Sequence, residues 1–412
     1  MEDLNSLELN NNSSYVPHFQ PILNTANRAI LGYEVLGRHF SSSKNEFISL
    51  GPFFHEMNST YEEKVKIDNI IREKAIIYLK ESGEQTKLFF NVMPNLLPLM
   101  LTEDKFDTDN FQLVELAEKY NINKKDIIVE ITEDEYIGHT DKLIQIIEGF
   151  RRQGFKIALD DVGAGFSNLE RIGYIHPDII KIDIKLMRES VSRNSFKQVL
   201  VAISEMAEKL GSELLFEGIE LEQELNLAFS MGASLLQGFY FSKAKAGFQN
   251  NEIYSENLKS SIEKFSGLRF LELLDECILF QDIITHLNSI FEKLNDIAII
   301  SSYAVFQKVL ESSLESIPIM VEHILLTDLN GYQISPSYLR LNDGSWAMKF
   351  HEIGNNYAWK PYFIKHKAEA YFFKKSWGVT KKLFDITRQS KYVIFTYTLS
   401  DKIILVAKVI VP

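Results

Sequence analysis

Phe155-Lys156-Ile157-Ala158-Leu159-Asp160-Asp161 is a short apolar run that closes on two adjacent carboxylates. The same form recurs outward in both directions, at Leu88–Val92, Ile127–Ile131, Ile179–Ile184 and Leu214–Phe216, with flanking runs at Ala29–Leu36 and Ser234–Phe241. Between them lie longer amphipathic stretches, Tyr61–Glu81, Asp134–Arg152, Ser195–Leu210 and Leu221–Met231. β-runs alternating with helices spell a parallel sheet with crossover helices. Six or seven such units over roughly 220 residues favour a closed, modified TIM-type (β/α)8 barrel over an open doubly wound sheet. No G-x-G-x-x-G follows the first run, which argues against dinucleotide binding.

A barrel of this kind places its chemistry at the C-terminal ends of the strands. Glu34 in LGYEVL, Asn91 closing LFFN, Glu130 in IIVEIT, Asp160 and Asp161, and Glu217 closing LLFEG all fall there. Lys181 and Asp183 in IIKIDI are two apart, which puts them on one face of a strand. Any one of these has an ordinary explanation: a strand-end acid is commonly a helix N-cap or a solvated group, Lys181 pairs readily with Asp183, and Asn91 before VMP suits a turn. Their joint placement carries the argument. Several buried carboxylates at one barrel mouth repel unless cations neutralise them. Carboxylates with one amide oxygen are hard donors that suit Mg²⁺ or Mn²⁺. Two such ions about 4 Å apart activate a water and stabilise the leaving oxygen in phosphodiester cleavage.

The residues Glu34-Val35-Leu36-Gly37-Arg38, Asn91, Glu130-Ile131-Thr132-Glu133, Asp160 to Ser167, Lys181-Ile182-Asp183, Glu217-Gly218-Ile219-Glu220 and Gln237-Gly238-Phe239 resemble, in order and spacing, the EAL-domain cyclic di-GMP phosphodiesterases. The resemblance runs over about residues 15 to 245. The resemblance implies that Glu34, Asn91, Glu130 and Asp160 hold one metal ion and that Asp160, Asp161 and Glu217 serve the second. It implies that Lys181 positions or deprotonates the attacking water, that Asp183 and Gln237 complete the surroundings, and that Leu36 and Arg38 contact the substrate. Glu133 would hold the loop from Asp161 to Leu169, and Glu220 would support the site and the dimer-linked loop. Val35 replaces the naming Ala, Val162 and Ala164 replace the usual Phe and Thr, and a proline is missing after QGFYFSKA. No ligating position is lost, which favours metal-dependent hydrolysis of cyclic di-GMP to pGpG over a catalytically inactive cyclic di-GMP receptor.

The composition agrees. At 412 residues the chain has room for two or three domains. Its 44 Lys and Arg against 56 Asp and Glu leave a formal charge of −12, which argues against DNA or RNA as partners. Cys277 is the single cysteine, so a disulfide framework or thiolate metal site is excluded. The start MEDLNSLELNNNSS lacks the basic and apolar regions of a signal peptide, and no apolar run reaches membrane-spanning length. A cytoplasmic location is expected.

The expected organisation is a barrel over residues 1–250, a helical connector over 251–313 and a small α+β domain over 314–412. That last part resembles PAS or Cache-like sensors, and its combination with the barrel resembles the YkuI-like subgroup of the family. Asp328-Leu329-Asn330-Gly331 is a hairpin signal. Trp346, Trp359 to Phe363, Trp377, Asp385 and Arg388 are candidates to line a small-molecule pocket. A homodimer and a regulatory ligand of this domain complete the expectations.

Overall fold

The computed structural model describes residues 14–42, 44–55, 59–92, 111–132, 140–163, 169–300, 303–385, 388, 390–399 and 402–411. The chain divides into two compact units, Met1–Ser266 and Gly267–Pro412.

The first unit is a closed barrel. Its strands are β1 (Tyr15–Asn24), β2 (Ile30–Ser41), β4 (Lys87–Val92), β5 (Ile127–Thr132), β6 (Lys156–Val162), β7 (Ile179–Ile182), β8 (Glu213–Phe216) and β9 (Leu235–Leu236). They follow the order β1-β9-β8-β7-β6-β5-β4-β2, and β1 pairs back onto β2 to close the ring, with the short strand β3 (Glu46–Ser49) hung on β2. All neighbours from β2 through β9 around the ring are parallel. Strand β1 is antiparallel to both of its neighbours.

Strand β1 is the element the sequence conceals, because YVPHFQPILN carries Pro17 and Pro21. A proline in a central strand removes a ladder donor. Here Phe19, of the same parity, sends its N–H to Lys245 O on the side away from β2. The missing donors of Pro17 and Pro21 therefore point away from the β1–β2 ladder. The last run shrinks in the other direction: of Ser234–Phe241 only Leu235–Leu236 is strand.

One residue from each of seven strands fills the barrel axis: Ile22, Phe89, Ile128, Ala158, Ile179, Leu215 and Leu235, with Leu31 of β2 packed against them. Side chains of alternate parity face outward into a separate core under the helices, as Leu88, Phe90, Ile127, Val129, Ile157 and Leu159 do. The helix Tyr61–Ser82 starts on a capping box, in which Thr60 Oγ1 accepts from Glu63 N and Glu63 closes back onto Thr60 N.

The second unit is an antiparallel sheet in the order β12 (Trp346–Lys349), β11 (Ser337–Arg340), β10 (Val321–Asp328), β16 (Ile403–Val411), β15 (Ser390–Leu399), β13 (Trp377–Val379), with β14 (Leu383–Asp385) also on β15. Strand alternation gives it two apolar faces. Ile324, Leu326, Leu405 and Ala407 pack with Ile283, Leu287, Phe291 and Phe306 of the helices Ser255–Ile300 and Tyr303–Ser313. Leu325, Ile404 and Val406 pack with Phe363 of the helix Pro361–Phe373. Much of the stretch expected as a connector is thus core of the second unit. The expected turn is present: Gly331 N donates to Asp328 O, Asp328 N to Tyr332 O, and Gly331 takes φ +84°.

Candidate active site

Two residues further along each parallel strand from the axial layer, the side chain again points inward. Phe89 leads to Asn91, Ile128 to Glu130, Ala158 to Asp160, Ile179 to Lys181, Leu215 to Glu217 and Leu235 to Gln237. In the parallel register Glu34 sits beside Phe89. The reversed strand β1 brings Gln20 opposite Glu34. The site is therefore the layer above the apolar plug, polar at nearly every strand.

Lys181 stands at its centre, 1% exposed. Its Nζ lies 2.8 Å from Glu130 Oε1, 3.1 Å from Asp160 Oδ1 and 2.7 Å from Glu217 Oε1. Glu34 forms the adjoining half, accepting from Asn91 Nδ2 at 3.1 Å and from Gln237 Nε2 at 2.6 Å. Both oxygens of fully buried Glu130, and Oε1 of Glu217, are buried without a hydrogen bond of good geometry. Oε1 of each instead lies within ion-pair distance of Lys181 Nζ.

The electrostatics follow from this crowding. Burial, reinforced by the neighbouring carboxylates, pushes the Glu130 and Glu217 carboxyls well above the ordinary value, with Lys181 opposing. For Lys181, burial pulls down, but Asp160, Glu130, Glu217 and Glu34 together outweigh it and hold the ammonium well above an ordinary lysine.

Adjacent strand residues normally face opposite ways, yet Asp160 and Asp161 both line one cavity of about 360 Å³ with Glu34, Leu36, Arg38, Asn91 and Glu217. A bulge reconciles the two facts. The β6–β7 register slips between Leu159 and Val162, Asp161 takes φ +56°, and its N–H donates to Asp160 Oδ1 at 2.8 Å. Gly163 follows at φ +98°, where a Cβ would stand 2.3 Å from Leu186 Cδ2, so the turn out of the bulge requires glycine.

Two expected residues are not in this layer. Strand β7 ends at Ile182, and Asp183 turns into the helix Ile184–Ser192 as its N-cap, Oδ1 accepting from Lys185 N and Leu186 N. Lys181 and Asp183 are therefore not partners on one strand face. Glu220 pairs instead with Arg188 at 3.1 Å. Glu133 and the stretch 164–168 lie outside the described residues.

Gln20, whose Nε2 donates to Ser242 O, and the pair Asp68–Arg72 carry no motif that marks them in the sequence. Arg72 bonds Asp68 and donates to Asn91 O at 2.8 Å, and both side chains line the cavity. Their i,i+4 spacing is the only signal they give, and it is common on solvated helices.

The donor set is a hard-oxygen one, with more carboxylate than Lys181 offsets and with buried oxygens lacking hydrogen bonds, and it fits a divalent cation. Among the described residues, no three acidic, His or Cys side chains converge on one point by themselves as an ion would need.

A family model described as "EAL domain" matches residues 4–244, and another, "EAL-domain associated signalling protein domain", matches residues 248–409. YkuI of Bacillus subtilis, an uncharacterised EAL-domain-containing protein, is 29% identical over 364 residues, 87% of this chain and 85% of that one. A probable cyclic di-GMP phosphodiesterase of Escherichia coli, PdeB, is 30% identical over 230 residues, 55% of this chain but 42% of its own length. The solved structure of Bacillus subtilis YkuI, in complex with cyclic di-GMP and calcium, superposes with a TM-score of 0.85 at 27% identity, covering 97% of this chain and 96% of that one. A standalone EAL protein of Vibrio cholerae bound to cyclic di-GMP superposes at 0.50 with 27% identity over 58% of this chain and 97% of its own.

Proposed function

Because this chain belongs to the EAL-domain family, we propose that it hydrolyses cyclic di-GMP to linear pGpG with Mg²⁺ or Mn²⁺ at the barrel mouth. The observation that carries the proposal is the polar layer itself: Glu34, Glu130, Asp160 and Glu217 around Lys181, with Asp161 re-aimed into the same cavity. Glu34, Asn91, Glu130, Asp160, Asp161 and Glu217 would hold two ions. Bound there, such ions supply an activated water and charge stabilisation for the leaving 3′ oxygen.

The chain's own residues do the rest. Gln237 and Asn91 fix the Glu34 carboxylate through hydrogen bonds to its two oxygens. Lys181 offers an ammonium to orient a water or a phosphate oxygen. Arg38, in the cavity wall, presents a planar cation to phosphate. Leu36 supplies apolar wall for the substrate.

The position of Lys181 at the meeting point of the carboxylates favours a second reading, a receptor that binds cyclic di-GMP without cleaving it. An assay of the full-length chain with cyclic di-GMP and each ion separates them. Hydrolysis is expected with Mg²⁺ or Mn²⁺ and lost in Asp160→Ala. Tight binding without turnover in either ion would give the receptor reading. We also read the second unit as the regulator of this activity and the working form as a homodimer. A monomer of full activity in light scattering would remove the dimer from this reading.

A further inference from the structure

We propose that the outer face of the helix Pro361–Phe373 docks on an anionic lipid surface. The segment Trp359–Trp377, WKPYFIKHKAEAYFFKKSW, holds five lysines and one glutamate in a chain whose net charge is −12. Its helix buries Phe363 and His366 at i and i+3. A soluble helix of this kind carries polar residues on the opposite side. Here that side holds Ile364, Tyr371 and Phe372, related by i, i+7 and i+8, at 58%, 80% and 76% exposure. Phe373 at the helix end and Trp359 before its start are 69% and 67% exposed.

Single exposed apolar residues on a surface need no explanation. Five large ones on one short helix and its flank do. The cations are set among the rings: Lys360 Nζ lies 4.1 Å from the Trp359 ring centroid and Lys374 Nζ 5.3 Å from that of Tyr371. Lys374 leaves the helix at φ +56°, and Lys375 follows with its Nζ 3.4 Å from the Trp377 ring centroid. Lys365 and Lys367 flank the apolar face within the helix.

This chemistry selects the occupant. Rings that project at the end of a helix, rimmed by lysines, suit a deformable interface where aromatics enter the headgroup region and ammonium groups meet lipid phosphates. A second copy docking through the same patch would bring five lysines against five, which like-charge repulsion opposes. No helix among the described residues is long and apolar enough to cross a membrane, and the proposed contact is a peripheral, reversible one.

The test is flotation of the full-length protein with vesicles of phosphatidylcholine alone or mixed with phosphatidylglycerol. Binding is expected only with phosphatidylglycerol, weakening as salt rises. The triple variant Tyr371→Ser, Phe372→Ser, Phe373→Ser should lose about tenfold or more of that partitioning with its circular dichroism unchanged, since these side chains leave little packing behind. Lys374→Glu with Lys375→Glu should lose binding as well. Absence of binding to phosphatidylglycerol vesicles, or equal binding by the triple variant, would overturn the proposal. So would a shift from dimer to monomer in the triple variant without any lipid effect, which would assign the face to a second copy. None of these readouts depends on hydrolysis.

Discussion

The two units both bury polar side chains, in opposite ways. At the barrel mouth they are charged and incompletely satisfied: Glu130 has no well-formed hydrogen bond to either oxygen and relies on the Lys181 ammonium beside it. In the second unit a cluster of uncharged side chains, Gln333, Ser335 and Ser337, is largely hydrogen-bonded. Gln333 Nε2 donates to Ser335 O and Ser337 Oγ at 2.9 and 3.0 Å, and Ser335 Oγ accepts from Leu326 N and donates to Pro336 O. Gln333 Oε1 is the one buried atom of that cluster left over. A satisfied neutral network specifies a fold, whereas a crowded charged set costs stability and persists where chemistry needs it.

The largest expected effect breaks function while sparing the fold. Glu130→Gln keeps the shape, replaces a buried carboxyl whose charged form burial disfavours, and removes a candidate ligand. Hydrolysis should fall about a thousandfold or more, while the unfolding free energy stays within about 1 kcal/mol of wild type or rises. Chemical denaturation and a turnover assay on the same preparation check both halves. Lys181→Met should act on both properties. It leaves Glu130, Asp160 and Glu217 without their shared cation, a loss of about 3–5 kcal/mol together with activity. A Lys181→Met protein as stable as wild type would mean that the carboxylates are neutral in the folded state and that the ion pairs hold nothing.

The barrel was legible because its strands are apolar runs with a polar residue at a fixed offset, so that Asn91, Glu130, Asp160 and Glu217 declare their shared layer by the strand period alone. Strand β1 was not, because Pro17 and Pro21 argue against a central strand until one knows which way their missing donors face. Asp183 shows the limit of the period-two rule: one residue decides whether the strand goes on or turns into a helix cap, and IIKIDI fits both. The aromatics expected to line a pocket in the second unit divide between core and surface. Phe363 is core and Trp359 is exposed. Asp385 pairs with Lys408, and Arg388 with Glu322. A cavity of about 260 Å³ in this unit is lined by Leu273, Cys277, Phe280, Lys382 and Val393 among others. Composition names residues able to line a pocket without saying which face of a sheet they occupy.

A pH series sharpens the contrast, because the units titrate with opposite sign. His366, 1% exposed and bonded through Nε2 to Thr398 Oγ1, is pushed down from 6.5 to about 4, mainly by burial, with Glu369 opposing and Lys375 assisting. Between those values the unfolded chain binds a proton that the folded one refuses, so this contribution falls as pH falls. Glu130 and Glu217 are raised, so the folded barrel holds protons that the unfolded chain releases above about 4.5, and their contribution falls as pH rises. Relative to wild type, His366→Asn should be least harmful near pH 4, and Glu130→Gln increasingly favourable as pH rises above the ordinary carboxyl range. Equal slopes for the two variants would remove the distinction.

The smallest effect tests the satisfied network. Ser335→Ala deletes the acceptor of Leu326 N inside the sheet and leaves a buried donor unpaired, a loss of about 1–3 kcal/mol. The melting increment given by Mn²⁺ should be unchanged in this variant, because a ligand that binds only the native barrel stabilises it by mass action regardless of the second unit's hydrogen bonds. In Asp160→Ala the same increment should vanish. If Ser335→Ala abolished the Mn²⁺ increment as Asp160→Ala does, the buried serine would be coupled to the barrel mouth, and the division between a neutral network that specifies structure and a charged one that serves chemistry would fail at its clearest point.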